Sequence, residues 1–389
     1  MARNRVIYQS EALYASKEYD STGLSDHVQL HRVQSANYGF TINRQDVNQF
    51  GNLARIDSLI LEPPTVNFDL SYYVTNGFNE RALGFSVAQA GDTTDVQFAS
   101  GQLTSSSGQN LFIVTVPEGK DANLNKDTNA TENTVIGIGN AFLTDYTLDL
   151  SVGSLPTATV SFEASNIISD TTVSGDGTIS GFTGIQSPAV NPVNGVSLTD
   201  PVQLPWASGN AHGGDYVASN ADTLSALRPG DLTLDLSTFN NEILSTVDGA
   251  GGIHIQSASL SLPLSRTPIE RLGTKFPFAR VVDFPVNASL TVNAIVNTMA
   301  AQNLANMISG CGQGTLRDVT VSMKECGGTT TGLYVTLKNC TIDSESFSSS
   351  IGSNKSVDLT FTTQIGGTKD TEKGIFVSGS NTTALPWNA

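Results

Sequence analysis

The chain contains 389 residues with 36 acidic and 20 basic side chains, so its formal net charge is −16. A surface this acidic repels nucleic-acid phosphates, which argues against a protein that reads DNA or RNA sequence. The apolar fraction of 39% argues against disorder throughout, and the length suits two compact domains better than one.

The N-terminus and the cysteines indicate the compartment in which the chain folds. The opening stretch MARNRVIYQSEAL lacks the apolar core of a secretory signal, and no run approaches the roughly 18 apolar residues of a membrane span. Cys311, Cys326 and Cys340 are odd in number and have no CxxC spacing, so we expect reduced packing residues rather than disulfides or metal ligands. These points predict assembly in a cytoplasm without a membrane partner.

An internal repeat begins at residues 33–51, VQSANYGFTINRQDVNQFG, which align without a gap with residues 255–273, IQSASLSLPLSRTPIERLG. Five positions are identical at a spacing of 222: Gln34 and Gln256, Ser35 and Ser257, Ala36 and Ala258, Arg44 and Arg266, Gly51 and Gly273. Apolar positions keep their class between the two stretches, which indicates a duplication.

The far ends of the two copies match at a different spacing. Residues 151–162, SVGSLPTATVSF, align with residues 350–361, SIGSNKSVDLTF, at a spacing of 199. The second copy is therefore 23 residues shorter in its middle. Because insertions belong in surface loops, we assign the extra residues to the polar, turn-rich segment 118–134.

The matched stretches alternate polar and apolar residues with a period of two, as in TVNFDLSYYV at 65–74 and TATVSFEAS at 157–165. This period predicts half-buried β-strands, and each copy is expected to form an antiparallel β-sandwich. A helix is predicted at residues 297–309, with a weaker counterpart at 78–85.

A segment from about Ile168 to Leu227 separates the copies and contains no Lys or Arg. Gly, Ser, Pro and Asn dominate it, so it is either a connector with surface decoration or a small independent β-module. The phrase ALRPGDLTLDLS, residues 226–237, is predicted to open the second copy as a strand. The predicted boundaries are a first domain at 1–167, the connector at 168–225 and a second domain at 226–389.

A search for catalytic patterns gives no convincing constellation. His27 and His31 have metal-ligand spacing only on a helix, and their strand-like setting predicts solvated side chains. The sequence contains no GxSxG elbow, P-loop or GxGxxG motif after a strand. Carboxylate pairs for glycoside hydrolysis remain open. We expect no enzyme, no cofactor and no metal.

The outward-facing positions of the matched strands are Ser, Thr, Asn, Asp and Glu, without any Lys or Arg. Exposed sheet faces usually carry basic side chains for solubility and edge protection. One interpretation is a β-protein of low charge; the other is a surface that stays hydrated and does not hold phosphates.

Residues 31–74, HRVQSANYGFTINRQDVNQFGNLARIDSLILEPPTVNFDLSYYV, and residues 337–367, LKNCTIDSESFSSSIGSNKSVDLTFTTQIGG, resemble the major tail (tail tube) proteins of long-tailed bacteriophages. The resemblance covers most of the chain outside 168–227, and its signal lies in motif order and duplication. It implies mainly β structure, with two tandem tube-type β-sandwich domains, each with a short flanking helix. In that family neighbouring domains join their sheets into a closed ring, completing a shared β-barrel, and rings stack into a hollow tube for the genome.

The resemblance also implies a place and partners. Because one chain carries two domains, three chains would close a pseudo-sixfold ring. The partners would be further copies of the chain, the tape measure protein, the tail terminator and tail tip proteins, and DNA in the lumen without specific binding. The location would be the virion tail, after assembly in the host cytoplasm.

Two sets of residues are the candidate sites. The loop from Arg44 to Arg55 recurs from Arg266 to Arg280, and its apolar residues are expected at contacts between subunits or rings. Both first arginines would then pair with acids across the contact; the alternative is a loop that packs within its own domain. The inter-subunit candidates are Arg44, Val47, Phe50, Arg266, Ile269 and Leu272. The lumen candidates are Asn67, Asp69, Asp149, Thr159, Glu163, Asn287 and Asp358.

The main rival function is a carbohydrate-binding or adhesive β-sandwich, such as a fibre or receptor-binding virion protein. It predicts clustered exposed aromatic rings that stack on sugars. The two tryptophans, Trp206 and Trp387, each stand beside a proline in predicted loops and do not form such a cluster. A β-sandwich enzyme ranks third.

Overall fold

The computed structural model describes residues 11–16, 27–89, 96–105, 108–117, 122, 133–170, 178–179, 188, 202–204, 227, 232–235, 253–277, 279–296, 317–324, 331–352 and 354–380. In this part of the chain the fold is mainly β, as predicted. The helix predicted at 297–309, Cys311, Cys326 and both tryptophans lie outside the described residues.

The secondary structure of the first half begins at Glu11. Its elements are β1 (Glu11–Ser16), β2 (His27–Gln29), β3 (Val33–Thr41), β4 (Arg44–Val47), β5 (Asp57–Ile60), β6 (Thr65–Tyr73), α1 (Phe78–Ala82), β7 (Ala88–Gln89), α2 (Ser100–Thr104), β8 (Gln109–Thr115), β9 (Thr134–Ser151), β10 (Thr157–Ala164), β11 (Asn166–Asp170), β12 (Thr178–Ile179) and β13 (Val202–Gln203). The helix predicted at 78–85 is therefore present as the short α1.

The second half begins with the strand that was predicted within residues 226–237. Its elements are β14 (Leu232–Asp235), β15 (Ile253–Pro263), β16 (Arg266–Ile269), β17 (Ala279–Val282), β18 (Asn287–Val296), β19 (Arg317–Lys324), β20 (Thr331–Ser348), β21 (Ser356–Gln364) and β22 (Gly374–Gly379).

Eight antiparallel strands form one layer, which we call the front sheet, in the spatial order β3, β6, β10, β9, β15, β18, β21, β20. The period of two in the sequence sets its two faces: in β6, Val66, Phe68 and Leu70 are buried while Asn67 and Asp69 are exposed. Burial of each such large apolar side chain stabilises the fold by about 1.5–3 kcal/mol.

Two smaller layers cover the apolar face of the front sheet. The first back sheet contains β2, β1, β8, the N-terminal part of β9 and β11; the second contains β14, β19, the N-terminal part of β20, β22 and β7. Each long strand passes from a back sheet to the front sheet near an asparagine with positive φ, Asn140 (53°) or Asn339 (59°). Asparagine adopts this left-handed conformation more readily than most residues. One hydrophobic core joins the layers.

The two halves repeat each other in register as well as in strand order. The β-bulge between Val33 and Ser35 recurs between Ile255 and Ser257, 222 residues later. The bulge between Gln109 and Leu111 recurs between Arg317 and Val319, 208 residues later. We call residues 11–170 the first repeat and residues 232–380 the second repeat.

The register corrects the predicted position of the extra residues in the first repeat. Thirty-six positions separate Tyr73 from Gln109, and 22 separate their equivalents Ile295 and Arg317, so 14 of the 23 extra residues lie there. The remaining nine lie between β8 and β9. Composition pointed only to the polar segment 118–134, whereas the longer insertion lies within residues 74–108, the stretch that contains α1, β7 and α2.

Parts of the connector pack against the first repeat. Strand β11 crosses the predicted boundary at residue 167 and pairs with β9, so the first repeat extends to Asp170. Ile179 of β12 and Leu204, which follows β13, are buried against Tyr14 and Phe112 on the outer side of the first back sheet. No helix in the described ranges is long and apolar enough to cross a membrane.

Candidate assembly surfaces

The two repeats meet along a pair of strands inside the front sheet, which we call the joint, and also where β7 of the first repeat pairs with β22 of the second. The last front strand of the first repeat, β9, pairs with the first strand of the second repeat, β15, from Ser151 opposite Ser257 to Asp145 opposite Pro263. Backbone hydrogen bonds extend the pairing at both ends, since Val152 N donates to Gln256 O (2.9 Å) and Leu264 N donates to Thr144 O (2.8 Å).

Arg266 holds the second repeat to the first across the joint. Its guanidinium donates from Nε to Leu143 O (3.1 Å), and from Nη2 to Gln102 O (3.0 Å) and Gln102 Oε1 (3.3 Å). The residue is buried, and desolvation together with the charge of Arg280 lowers the pKa of Arg266 to about 10. The prediction that Arg266 pairs with an acid at a contact between subunits is therefore wrong for this residue, because its partners are uncharged groups of the same chain.

A second arginine reinforces the joint. Arg280 forms an ion pair with Glu163, and the guanidinium groups of Arg280 and Arg266 lie 5.9 Å and 5.3 Å from the ring centroid of Phe142. The charge of the lumen candidate Glu163 is therefore neutralised by Arg280, a residue that is distant in the sequence. The alternation of residues along the strand did not predict this ion pair.

The front sheet ends on either side at a strand without a neighbour among the described residues. These outer edges are β3 and the C-terminal part of β20, residues 341–348. Their apolar side chains are exposed: Tyr38 (47%), Phe40 (60%) and Phe347 (46%). The equivalent residues at the joint, Leu260, Leu262 and Leu148, are buried. The same positions are thus covered at the joint and uncovered at the outer edges.

Each repeat also carries a two-stranded arm. The first arm comprises residues 44–60 with β4 and β5, and the second comprises residues 266–282 with β16 and β17. Six apolar residues of the first arm and of the segment that follows it are exposed: Phe50, Leu53, Ile56, Leu59, Ile60 and Leu61. Among the inter-subunit candidates, Arg44, Phe50, Ile269 and Leu272 are exposed and Val47 is half-buried.

The uncovered face of the front sheet is polar along all eight strands. Its carboxylates accept hydrogen bonds from neighbouring strands: Ser161 Oγ donates to Asp69 (2.7 Å), Ser259 Oγ to Asp149 (2.6 Å) and Asn293 Nδ2 to Asp358 (2.6 Å). The eight strand segments contain no Lys or Arg. The seven lumen candidates all lie on this face, and it also carries Ser344, Ser346 and Ser348 of β20.

The two histidines of HVQLH are buried, which corrects the prediction that they are solvated. His27 contacts the edge of Phe112 at a centroid distance of 5.0 Å, and His31 stacks on Phe78 at 4.3 Å. Burial lowers the pKa of each to about 4. Both faces of the stretch are buried, because Val28 and Leu30 pack in the main core while His27 contacts Phe112 and His31 contacts Phe78, so alternation gave no signal. The described residues hold no group of His, Cys, Asp and Glu suited to a metal ion.

Comparison with protein-family models and with curated proteins identified no match for this chain.

Proposed function

We propose that the protein is a virion structural protein that polymerises as stacked rings into the hollow tail tube of a long-tailed phage, the conduit for DNA during ejection. One observation carries the proposal: the two outer edges of the front sheet are repeat-equivalents of the two strands that already pair at the joint. β3 corresponds to β15, and β20 corresponds to β9. A chain that joins these edges within itself presents the same two edges to other copies.

Open edges of this kind favour a closed ring. Unpaired strand edges promote uncontrolled association, and a head-to-tail contact that closes on itself removes them. Each chain contributes two tandem domains and eight front strands in all, so three chains would form a barrel of 24 strands. With strands about 4.8 Å apart and tilted by about 40°, such a barrel has a backbone diameter of about 50 Å. That width admits a DNA duplex.

The polar face of the front sheet suits the wall of this lumen. The apolar face packs against the back sheets, so the face with Asp69, Asp149 and Asp358 would point inward. Lysines on each ring would have to release phosphates at every step of DNA movement, whereas carboxylates and hydroxyl groups repel the duplex weakly. DNA and the tape measure protein would occupy this lumen without specific binding, and tail terminator and tip proteins would cover the two ends of the tube.

Negative-stain electron microscopy of the purified protein tests the proposal. Rings or hollow tubes with a central channel are the expected result. A stable monomer that binds glycans would instead support the fibre or receptor-binding alternative.

A further inference from the structure

We propose that the contact between chains copies the strand register of the joint: the outer edge β3 of one chain pairs antiparallel with residues 344–350 of a second copy. The inference rests on the proposed function, because it specifies the contact that closes the ring. The offsets of the repeats, 222 for β15 and 199 for β9, convert each pair at the joint into a pair between chains. Asn37 then lies opposite Ser348, and Tyr38 opposite Phe347.

The converted register brings the exposed apolar residues of the two edges together. Tyr38 and Phe347 are each about half exposed in the single chain. Their equivalents Leu260 and Leu148 lie opposite each other at the joint, where both are buried. A shift of the register by one residue would place Tyr38 opposite a polar residue of the partner strand, because side chains alternate along a strand. The apolar pattern therefore selects this register.

A cavity beside β3 has the place and size for the turn of the partner chain. At the joint, the turn residues Leu150, Ser151 and Val152 pack beside Leu234 and the start of β15, and the space left there is about 90 Å³. The equivalent space beside β1 and β3 measures about 490 Å³. The turn that corresponds to residues 150–152 is 349–351, and we assign the cavity as the place of this turn from the second copy. By the same equivalence Ile351 stays mostly exposed in the ring, because Val152 is 67% exposed at the joint.

The arms give independent support for the same arrangement. At the joint, Arg280 of the second arm pairs with Glu163 of the first repeat. The equivalents at the outer edges are Ser58 of the first arm and Thr362, so both charged members are replaced together by hydroxyl residues. Ser58 Oγ is buried and finds no hydrogen-bond partner among the described residues. A partner chain with Thr362 at this place supplies a hydroxyl group and leaves no charge unpaired.

Arg44 completes the contact. Its equivalent Arg266 donates to Leu143 O across the joint, and Leu143 corresponds to Ile342. Arg44 is exposed in the single chain, whereas Arg266 is buried. The guanidinium of Arg44 is therefore expected to bind the carbonyl of Ile342 in the second copy.

Cysteine pairs test the register directly. Asn37 and Ser348 are the equivalents of Ser259 and Asp149, which lie opposite each other at the joint and exchange no backbone hydrogen bonds. The Cα atoms of such a pair are about 4.5 Å apart, a distance that suits a disulfide. Asn37→Cys with Ser348→Cys should give covalent trimers on a non-reducing gel after oxidation. The shifted pair, Asn37→Cys with Ser346→Cys, and both single variants are the controls for register and for the natural cysteines.

The outcomes separate this inference from the proposed function. Rings that cross-link preferentially through the shifted pair, through Asn37→Cys alone, or not at all would overturn the register while leaving the tube function intact. The absence of any ring would contradict both.

Discussion

The joint and the outer edges are built from equivalent strands, yet they differ in what their residues contact. At the joint, Arg266 and Arg280 are buried against the first repeat, and the apolar strand residues are covered. At the outer edges, Arg44, Tyr38 and Phe347 are exposed. The exposure of Tyr38, Phe40 and Phe347 therefore reflects a missing neighbour, because their equivalents Leu260, Leu262 and Leu148 are buried where the two repeats pair.

The largest difference between the two regions should appear when their matched arginines are removed. Arg266→Met deletes hydrogen bonds to Leu143 O and Gln102 and leaves these buried acceptors unpaired, so the free energy of unfolding should fall by about 3 kcal/mol. Arg44→Met should leave the stability of the dissociated chain within about 0.5 kcal/mol and should weaken ring assembly. Urea denaturation of both variants below the assembly concentration measures the contrast. Equal destabilisation by the two variants would remove the distinction between joint and edge.

Acid should loosen the first repeat near its outer edge. Burial lowers the pKa of His27 to about 4, so below pH 6.5 the unfolded chain binds a proton that the folded chain does not. The stability contributed by neutral His27 is present above pH 6.5 and is lost as the pH falls toward 4, by on the order of 2 kcal/mol at pH 5.

His27→Leu should abolish the loss of stability that protonation of His27 causes. Burial raises the pKa of Glu80, which has the opposite effect on stability, but this effect is common to both proteins and cancels in the difference between variant and natural chain. Denaturation curves at pH 7 and pH 5 give the comparison, with the exposed His254→Leu as control. Identical pH dependence with and without His27 would show that this imidazole does not titrate between the two states.

A smaller effect is expected at the ion pair of the joint. Glu163→Gln leaves the buried guanidinium of Arg280 without its carboxylate and should cost about 1–2 kcal/mol, reduced by the partial exposure of Glu163. Asp149→Asn, on the same face, should change stability by about 0.5 kcal/mol or less. A double-mutant cycle with Arg280→Met checks that the two residues are coupled, and independent effects would refute the pairing.

The smallest structural effect, with a functional consequence, is expected on the polar face. Asp149→Lys together with Asp358→Lys changes exposed residues far from the apolar core, so rings and tubes should form at normal yield. Positive charge in the lumen should slow DNA release in an ejection assay and make it more sensitive to salt. The matched control is Asp149→Asn with Asp358→Asn. Unchanged release kinetics in the lysine variant would separate the polar face from DNA passage.

Strand periodicity and the internal repeat were sufficient to predict mainly β structure and the equivalent strands. Alternation in β6 and β21 predicted their buried and exposed faces residue by residue. These features depend on the order of neighbouring residues along the chain, so one sequence is enough to predict them.

Features that depend on what lies opposite a residue could not be predicted in this way. Arg44 and Arg266 occupy the same position of the repeat, but only Arg266 has a neighbouring repeat in the same chain. Glu163 reads as an outward-facing acid, and its partner Arg280 comes from an arm 117 residues away. His27 and His31 lie in a stretch that is buried on all sides, so period two carried no information about them.

Native mass spectrometry and averaged electron micrographs give the mass and symmetry of the assembled ring, and these two quantities decide how the outer edges pair. Pairing of outer edges in the register of the joint predicts three chains of 40.9 kDa per ring, with threefold symmetry and a pseudo-sixfold outline. A ring of six chains, or an open filament in which the edges never close, would contradict it.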